Sequence, residues 1–176
     1  LSQADVLKGL RAGVQAGTIV PLYTGSALKN VGTVPLLNAI VDLLPSPADR
    51  AERRPLTGQD ADGGHEVTRA ATADAPFSAV IFKTIIDPFV GRLSYVRVAS
   101  GTLQADSLLY NGTRKIKEKS GHVYQLLGKK HTAVATAAAG DIVAIGKLKD
   151  AQTGDTLCDE QHPIVYSWPA LPKPVL

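Results

Sequence analysis

Asp87-Pro88-Phe89-Val90-Gly91-Arg92-Leu93-Ser94-Tyr95-Val96-Arg97-Val98-Ala99-Ser100-Gly101 holds the pattern that decides the fold. An Asp-Pro turn signal opens it and a Ser-Gly signal closes it. Between them Leu93–Ala99 alternates, with Val96 and Val98 opposite Tyr95 and Arg97. A period of two places the valines on one face of a pleated strand, so that face is expected to be the buried one. Gly91 lets the chain reverse tightly just ahead of the strand, where a side chain would clash or lose freedom. Upstream, Phe77–Ile86 is long, apolar and rich in β-branched residues. Downstream, Leu108–Tyr110, His122–Leu126 and Ile142–Ile145 continue the series, separated by turn signals at Asn111-Gly112, Ala139-Gly140 and Thr153-Gly154. Short strands with regular glycine turns and no intervening helix predict a closed barrel or a sandwich. A closed barrel is favoured, because closure removes the edges that such apolar strands would expose.

Toward the N-terminus the pattern changes twice. From Ala48 to about Ala75 the chain turns to charged and small residues, and Asp60-Ala61-Asp62-Gly63-Gly64 reads as a hairpin tip or mobile linker. Before that lies an α/β segment. Ser2-Gln3-Ala4-Asp5 has the form of a helix cap, Val6, Leu7, Leu10 and Val14 share a helical face, and Gly13 and Gly17 end the helix. Ile19–Tyr23 reads as a buried strand, followed by a Gly25-Ser26-Ala27 turn. Thr33 can then cap a helix with Pro35 in its first turn, Leu36, Leu37, Ile40, Val41, Leu43 and Leu44 form a broad apolar face, and Pro45-Ser46-Pro47 stops it. Helix–strand–helix is the closing unit of a doubly wound nucleotide fold, and one such unit cannot bury both faces of its strand.

Composition fits an ordinary globular chain: 176 residues, 44% hydrophobic, 20% charged, net charge +3. No apolar run reaches the roughly 20 residues that span a bilayer, and nothing resembles a signal peptide. Cys158 is alone, which excludes a disulfide framework and points to a reducing, cytoplasmic setting. The absence of methionine, the start at Leu1 and the end in Pro172-Lys173-Pro174-Val175-Leu176 suggest a monomeric piece excised from a longer protein. Between Asn111 and His131, Arg114, Lys115, Lys117, Lys119, Lys129 and Lys130 face a single Glu118. Such a cluster is either a phosphate-facing surface or a solvated hairpin whose lysines guard its edge. Few aromatic residues lie nearby, so contact with folded RNA through its backbone is the better expectation than base stacking.

Catalytic and metal chemistry find little support. A phosphate-cradling loop needs Gly-x4-Gly-Lys-Ser/Thr between strand and helix. Gly140 and Gly146-Lys147 have five residues between them, are followed by Leu148 and lie among strands. No Asn-Lys-x-Asp is present to read a guanine edge, and Asp60-Ala61-Asp62-Gly63 reads as a plain turn. His65, His122, His131 and His162 lack ligand spacing. Asp155, Asp159, Glu160 and His162 read as turn residues near Cys158, whose thiolate the carboxylates disfavour. Neither catalytic residues nor a metal site is expected in this chain.

Two blocks carry a resemblance. Asp87–Leu93, Arg97-Val98, Ser100-Gly101-Thr102-Leu103, Ala139-Gly140-Asp141-Ile142-Val143-Ala144, Leu148-Lys149-Asp150 and Thr153-Gly154-Asp155-Thr156-Leu157-Cys158-Asp159 resemble, in order and spacing, the second domain of elongation factor G. Gly25-Ser26-Ala27-Leu28-Lys29-Asn30 resembles the last guanine-binding loop of the translational GTPases, and Val41-Asp42-Leu43-Leu44-Pro45-Ser46-Pro47 extends the likeness. Around Leu126-Leu127-Gly128-Lys129-Lys130-His131 the chain is more similar to the elongation-factor-G-like paralogue than to the housekeeping factor.

The resemblance implies a mostly β fold, with a closed Greek-key-type barrel preceded by a remnant of a P-loop GTPase domain. Residues 1–47 would end the nucleotide domain, 48–75 would lead into the barrel, 76–165 would form it, and 166–176 would lead to a third domain. It also implies a ribosome-bound parent that hydrolyses GTP with Mg2+ to drive movement of tRNA and mRNA, while this piece alone is inactive. Ser26, Ala27 and Leu28 would lie beside the guanine base. Gly91 and Arg92, together with the basic residues of 111–131, would face small-subunit rRNA. A non-enzymatic RNA-binding barrel and a release-factor-three-like or ribosomal-protection-like GTPase are the alternatives.

Overall fold

The computed structural model describes residues 2–88 and 90–169; Phe89 and the terminal 170–176, with part of the expected lead into a third domain, lie outside them. The chain divides into two compact units between Ser46 and Pro47.

The first unit contains α1 (Gln3–Ala16) and α2 (Thr33–Leu43). Ser2 caps α1 in a reciprocal box with Asp5: its hydroxyl accepts the Asp5 amide, and the Asp5 carboxylate accepts the Ser2 amide at 2.9 Å. Gly17 closes the helix in the left-handed conformation, as the sequence predicts. Two expectations require correction. Ile19–Tyr23 is not a strand, because no neighbouring strand among the described residues completes its hydrogen bonds, and its side chains are exposed. Thr33 is the first helical residue of α2 and not its cap; Gly32 holds that place without a side-chain bond. The apolar face of α2 is largely in water, and Leu43 is the buried residue of this unit among those described.

The second unit opens with α3 (Pro47–Arg53), a short helix that the composition of 48–75 did not reveal, followed by the hairpin β1 (Leu56–Gln59) and β2 (Glu66–Arg69) with Asp60–Gly64 at its tip. Then come β3 (Ser78–Asp87), β4 (Gly91–Ser100), β5 (Thr102–Gln104), β6 (Leu108–Asn111), β7 (Ile116–Lys119), β8 (Val123–Leu127), β9 (Lys130–Val134), β10 (Thr136–Ala138), β11 (Ile142–Gly146) and β12 (Thr156–Cys158). Eight of these form one antiparallel sheet in the order β7-β6-β12-β3-β4-β11-β8-β9. As the alternation predicts, Val96 and Val98 point inward. They join Ile81, Val143, Ile145 and Leu157 in one core. Full burial of each such side chain contributes about 1.5–3 kcal/mol.

The mostly β class holds, but the sheet is not closed. Among the described residues neither β7 nor β9 has a strand on its outer side. Past Gly101, β4 continues as β5; past Ala135, β9 continues as β10; and these two extensions pair with each other as a separate ribbon. β4 leaves the sheet at Gly101, which takes a left-handed φ of 70° that no regular strand continues through. A hydrogen bond from the Ala139 amide to the Gly101 carbonyl at 2.9 Å links the ribbon to the end of β4.

Candidate functional site

In the first unit the expected guanine loop is a tight turn ahead of α2. The Ser26 amide donates to the Val31 carbonyl at 2.9 Å, the Val31 amide returns a bond to Ser26, and the Asn30 amide donates to Ala27. The Ser26 hydroxyl accepts the Lys29 amide at 3.3 Å. The Ser26 amide is therefore engaged within the turn. The amides of Ala27 and Leu28 carry no partner among the described residues, and the Leu28 side chain is 96% exposed. That leaves two outward amides suited to a carbonyl or ring nitrogen.

The basic residues of 111–131 lie on two hairpins. These are β6–β7 and β8–β9, at opposite ends of the strand order. Only Ser120–His122 separate β7 from β8, so the sheet must curl enough to bring its two end hairpins near each other. Three of the basic residues are engaged. Arg114 Nε donates to the Asp155 carboxylate at 2.6 Å, Lys115 reaches Asp62 at 3.2 Å and Lys117 reaches Glu160 at 2.8 Å. Arg92, expected to meet phosphate or simply to be exposed, donates from Nη1 to the Lys149 carbonyl at 2.6 Å and from Nη2 to the Ala151 carbonyl. Gly91 beside it is exposed, with φ 78° and open space around the position of a Cβ. Lys119, Lys129 and Lys130 are exposed and make no ion pair among the described residues.

Two acidic residues organise this region: Glu118, to which sequence reading assigned no structural role, and Asp155, which it read as a turn residue. Glu118 is 3% exposed, and its carboxylate accepts the amides of Lys149, Asp150 and Ala151 at 3.0, 2.9 and 2.7 Å. With Arg92 on the carbonyls and Glu118 on the amides, the loop 149–151 is gripped through its backbone from both polarities. Asp155, 4% exposed, accepts from Arg114, from the Asn111 side-chain amide at 2.9 Å and from the Gln152 amide at 2.8 Å. The signal for Glu118 was available. Its inward register on β7, opposite Leu109, demands buried donors for a carboxylate.

The acidic cluster near Cys158 is dispersed among other duties. Asp155 serves the bonds just described, Glu160 pairs with Lys117, and Asp159 faces His162 at 3.8 Å. Among the described residues no group of three His, Cys, Asp or Glu could hold a metal ion. Burial pushes the Cys158 thiol up, and Asp159 adds to that in smaller measure. No helix among the described residues is long and apolar enough to cross a membrane.

A sequence profile described as elongation factor G domain 2 matches residues 76–160. Among solved structures, the chain is similar to a crystal structure from Thermus thermophilus, with a TM-score of 0.71 and 24% identity over 99% of this chain. The match covers 23% of that chain, so the present sequence spans about a quarter of its length. At such identity the likeness establishes the fold alone.

Proposed function

Residues 76–160 belong to the elongation factor G domain 2 family, a translation-factor domain, and the chain is elongation-factor-G-like; from that premise we propose that it serves a ribosome-associated GTPase. In this reading the second unit is a rigid docking body for small-subunit rRNA, and the parent uses GTP hydrolysis to drive movement of tRNA and mRNA. The observation that carries it is the profile match across the whole β3–β12 region, whose glycine turns and strand order are those described above.

GTP would meet this chain only at the turn before α2, where the amides of Ala27 and Leu28 are free to contact a base edge while Ser26 shapes the turn. Phosphates and Mg2+ would be held by other parts of the parent. The chain alone is therefore expected neither to bind GTP tightly nor to turn it over. For rRNA, Lys119, Lys129 and Lys130 offer unpaired charge. The exposed pairs of Lys115 and Lys117 can be exchanged for phosphate at little cost, since surface ion pairs contribute about 0–1 kcal/mol. Gly91 allows close approach of a backbone, while Arg92 and Arg114 act by holding the loops behind that surface.

Co-sedimentation with isolated small ribosomal subunits tests the proposal. Binding should weaken steeply with salt and fall when Lys119, Lys129 and Lys130 are changed to Glu. Failure of the unchanged protein to sediment with the subunit at low salt, or salt-independent binding, would refute it.

A further inference from the structure

Within the second unit, a groove of about 660 Å3 lies between α3 and the face of β3 and β4 that points away from the core. Phe82, Ile142 and Trp168 supply apolar surface to its walls, and Arg50, Arg54 and Arg97 supply charge. No Asp or Glu lines it, and none of the three guanidinium groups has a carboxylate partner among the described residues. Ile142 is 57% exposed and Trp168 36%, with the indole resting against Gly154.

Three unneutralised cations beside an apolar cleft call for an anion that also carries apolar surface. A guanidinium pairs with phosphate in a two-pronged fork and stacks on flat rings, and an indole accepts a base of any identity. The volume falls within the range of about 300–1,000 Å3 typical of clefts for small ligands, so it suits a nucleotide unit and not a folded domain. An acidic side chain would satisfy the arginines but bring no ring for the indole. We infer that this groove binds single-stranded RNA, with phosphates on Arg50, Arg54 and Arg97 and a base against Trp168. The site is separate from the lysines of the β6–β7 and β8–β9 hairpins, none of which needs to take part.

Trp168 is the only tryptophan in the chain, so its emission reports directly on this groove. The full chain is titrated with a uridine hexanucleotide at several salt concentrations. Saturable quenching is expected. The slope of log affinity against log salt should fall by about 0.7 for each arginine changed to alanine, as for single-strand phosphate contacts. The triple variant R50A/R54A/R97A should bind at least tenfold more weakly (a ~1.4 kcal/mol loss), with circular dichroism confirming its fold. A K119A/K129A/K130A variant should keep the full signal even if it no longer reaches the ribosomal subunit, which separates this inference from the docking proposal. Absence of quenching, equal quenching by a duplex RNA, or stronger quenching by poly-glutamate, which would indicate an acidic peptide partner, overturns it.

Discussion

At Gly101 the chain turns the corner from β4 into β5 with φ 70°, and a Cβ there would lie 2.5 Å from the Ala75 carbonyl oxygen and 2.6 Å from the Phe77 Cα. Both neighbours are backbone, so neither can swing aside. Gly101→Ala should therefore destabilise the second unit by about 2–3 kcal/mol, combining left-handed strain with overpacking, measured by urea unfolding. A change below about 0.5 kcal/mol, the usual range for surface substitutions, would mean that the corner is not built as described. A second residue-scale effect concerns pH. Burial pushes up both the Cys158 thiol and the Tyr166 phenol, whose hydroxyl lies 2.8 Å from that of Ser78. The native state then holds these protons more tightly than the unfolded chain does. Their stabilising contribution is complete below about pH 8.5 and is lost as pH climbs through the raised native values. The urea midpoint should decline from about pH 8.5 to about pH 10.5, and Cys158→Ala should flatten the first part of that decline. A level midpoint across the window contradicts this account.

At the scale of elements, the grip on loop 149–151 decides how β7 is held against the turn that follows β11. Glu118→Ala leaves three backbone amides without their acceptor, and a loss of about 3 kcal/mol or more is expected. Glu118→Gln keeps one acceptor oxygen but turns an NH2 group toward donors, so it should fall between wild type and alanine. If urea unfolding shows glutamine no better than alanine, the carboxylate is not the acceptor that matters. This grip also marks where sequence reading stops. The long strands β3 and β4 were legible because a long apolar β-branched run and a seven-residue alternation leave few other solutions. The short strands β5, β7, β10 and β12 were not, since three or four residues carry too little periodicity to stand out. Glu118 was counted as the lone acid in a basic stretch, because net charge is blind to which side of a strand a residue faces. Ile19–Tyr23 misled for a different reason: apolar β-branched residues state a preference for pairing, but cannot supply the neighbour that would satisfy it.

Across the whole molecule the two units differ in how much apolar surface they bury for themselves. The second unit has a continuous core that includes Ile81, Leu103, Ile145 and Leu157, all at 0% exposure. In the first, Val20 and Leu22 are 89% and 90% exposed and Val41 is 77%, while Leu43 is its buried hydrophobic residue among those described. Helices of 14 and 11 residues are marginal in water without tertiary burial, even with a capping box on one of them. The units should therefore open separately. Hydrogen exchange followed by mass spectrometry should find Ser78–Asp87, Gly91–Ser100 and Ile142–Gly146 protected up to the global stability of the second unit. Gln3–Ala16 and Thr33–Leu43 should exchange with protection no greater than about a hundredfold, the signature of local opening at low free-energy cost. Acid should widen the gap. The Asp5 carboxylate sits below its ordinary range because the Ser2 amide bonds to it, so its cap is intact above about pH 4 and is lost as pH falls through the native value. Protection of α1 equal to that of β4 at neutral pH would show that the first unit is stabilised by burial absent from this fold. The same peptides from a longer version of the protein would then be the natural comparison, since an apolar face covered by further strands gains protection without any change in the helix itself.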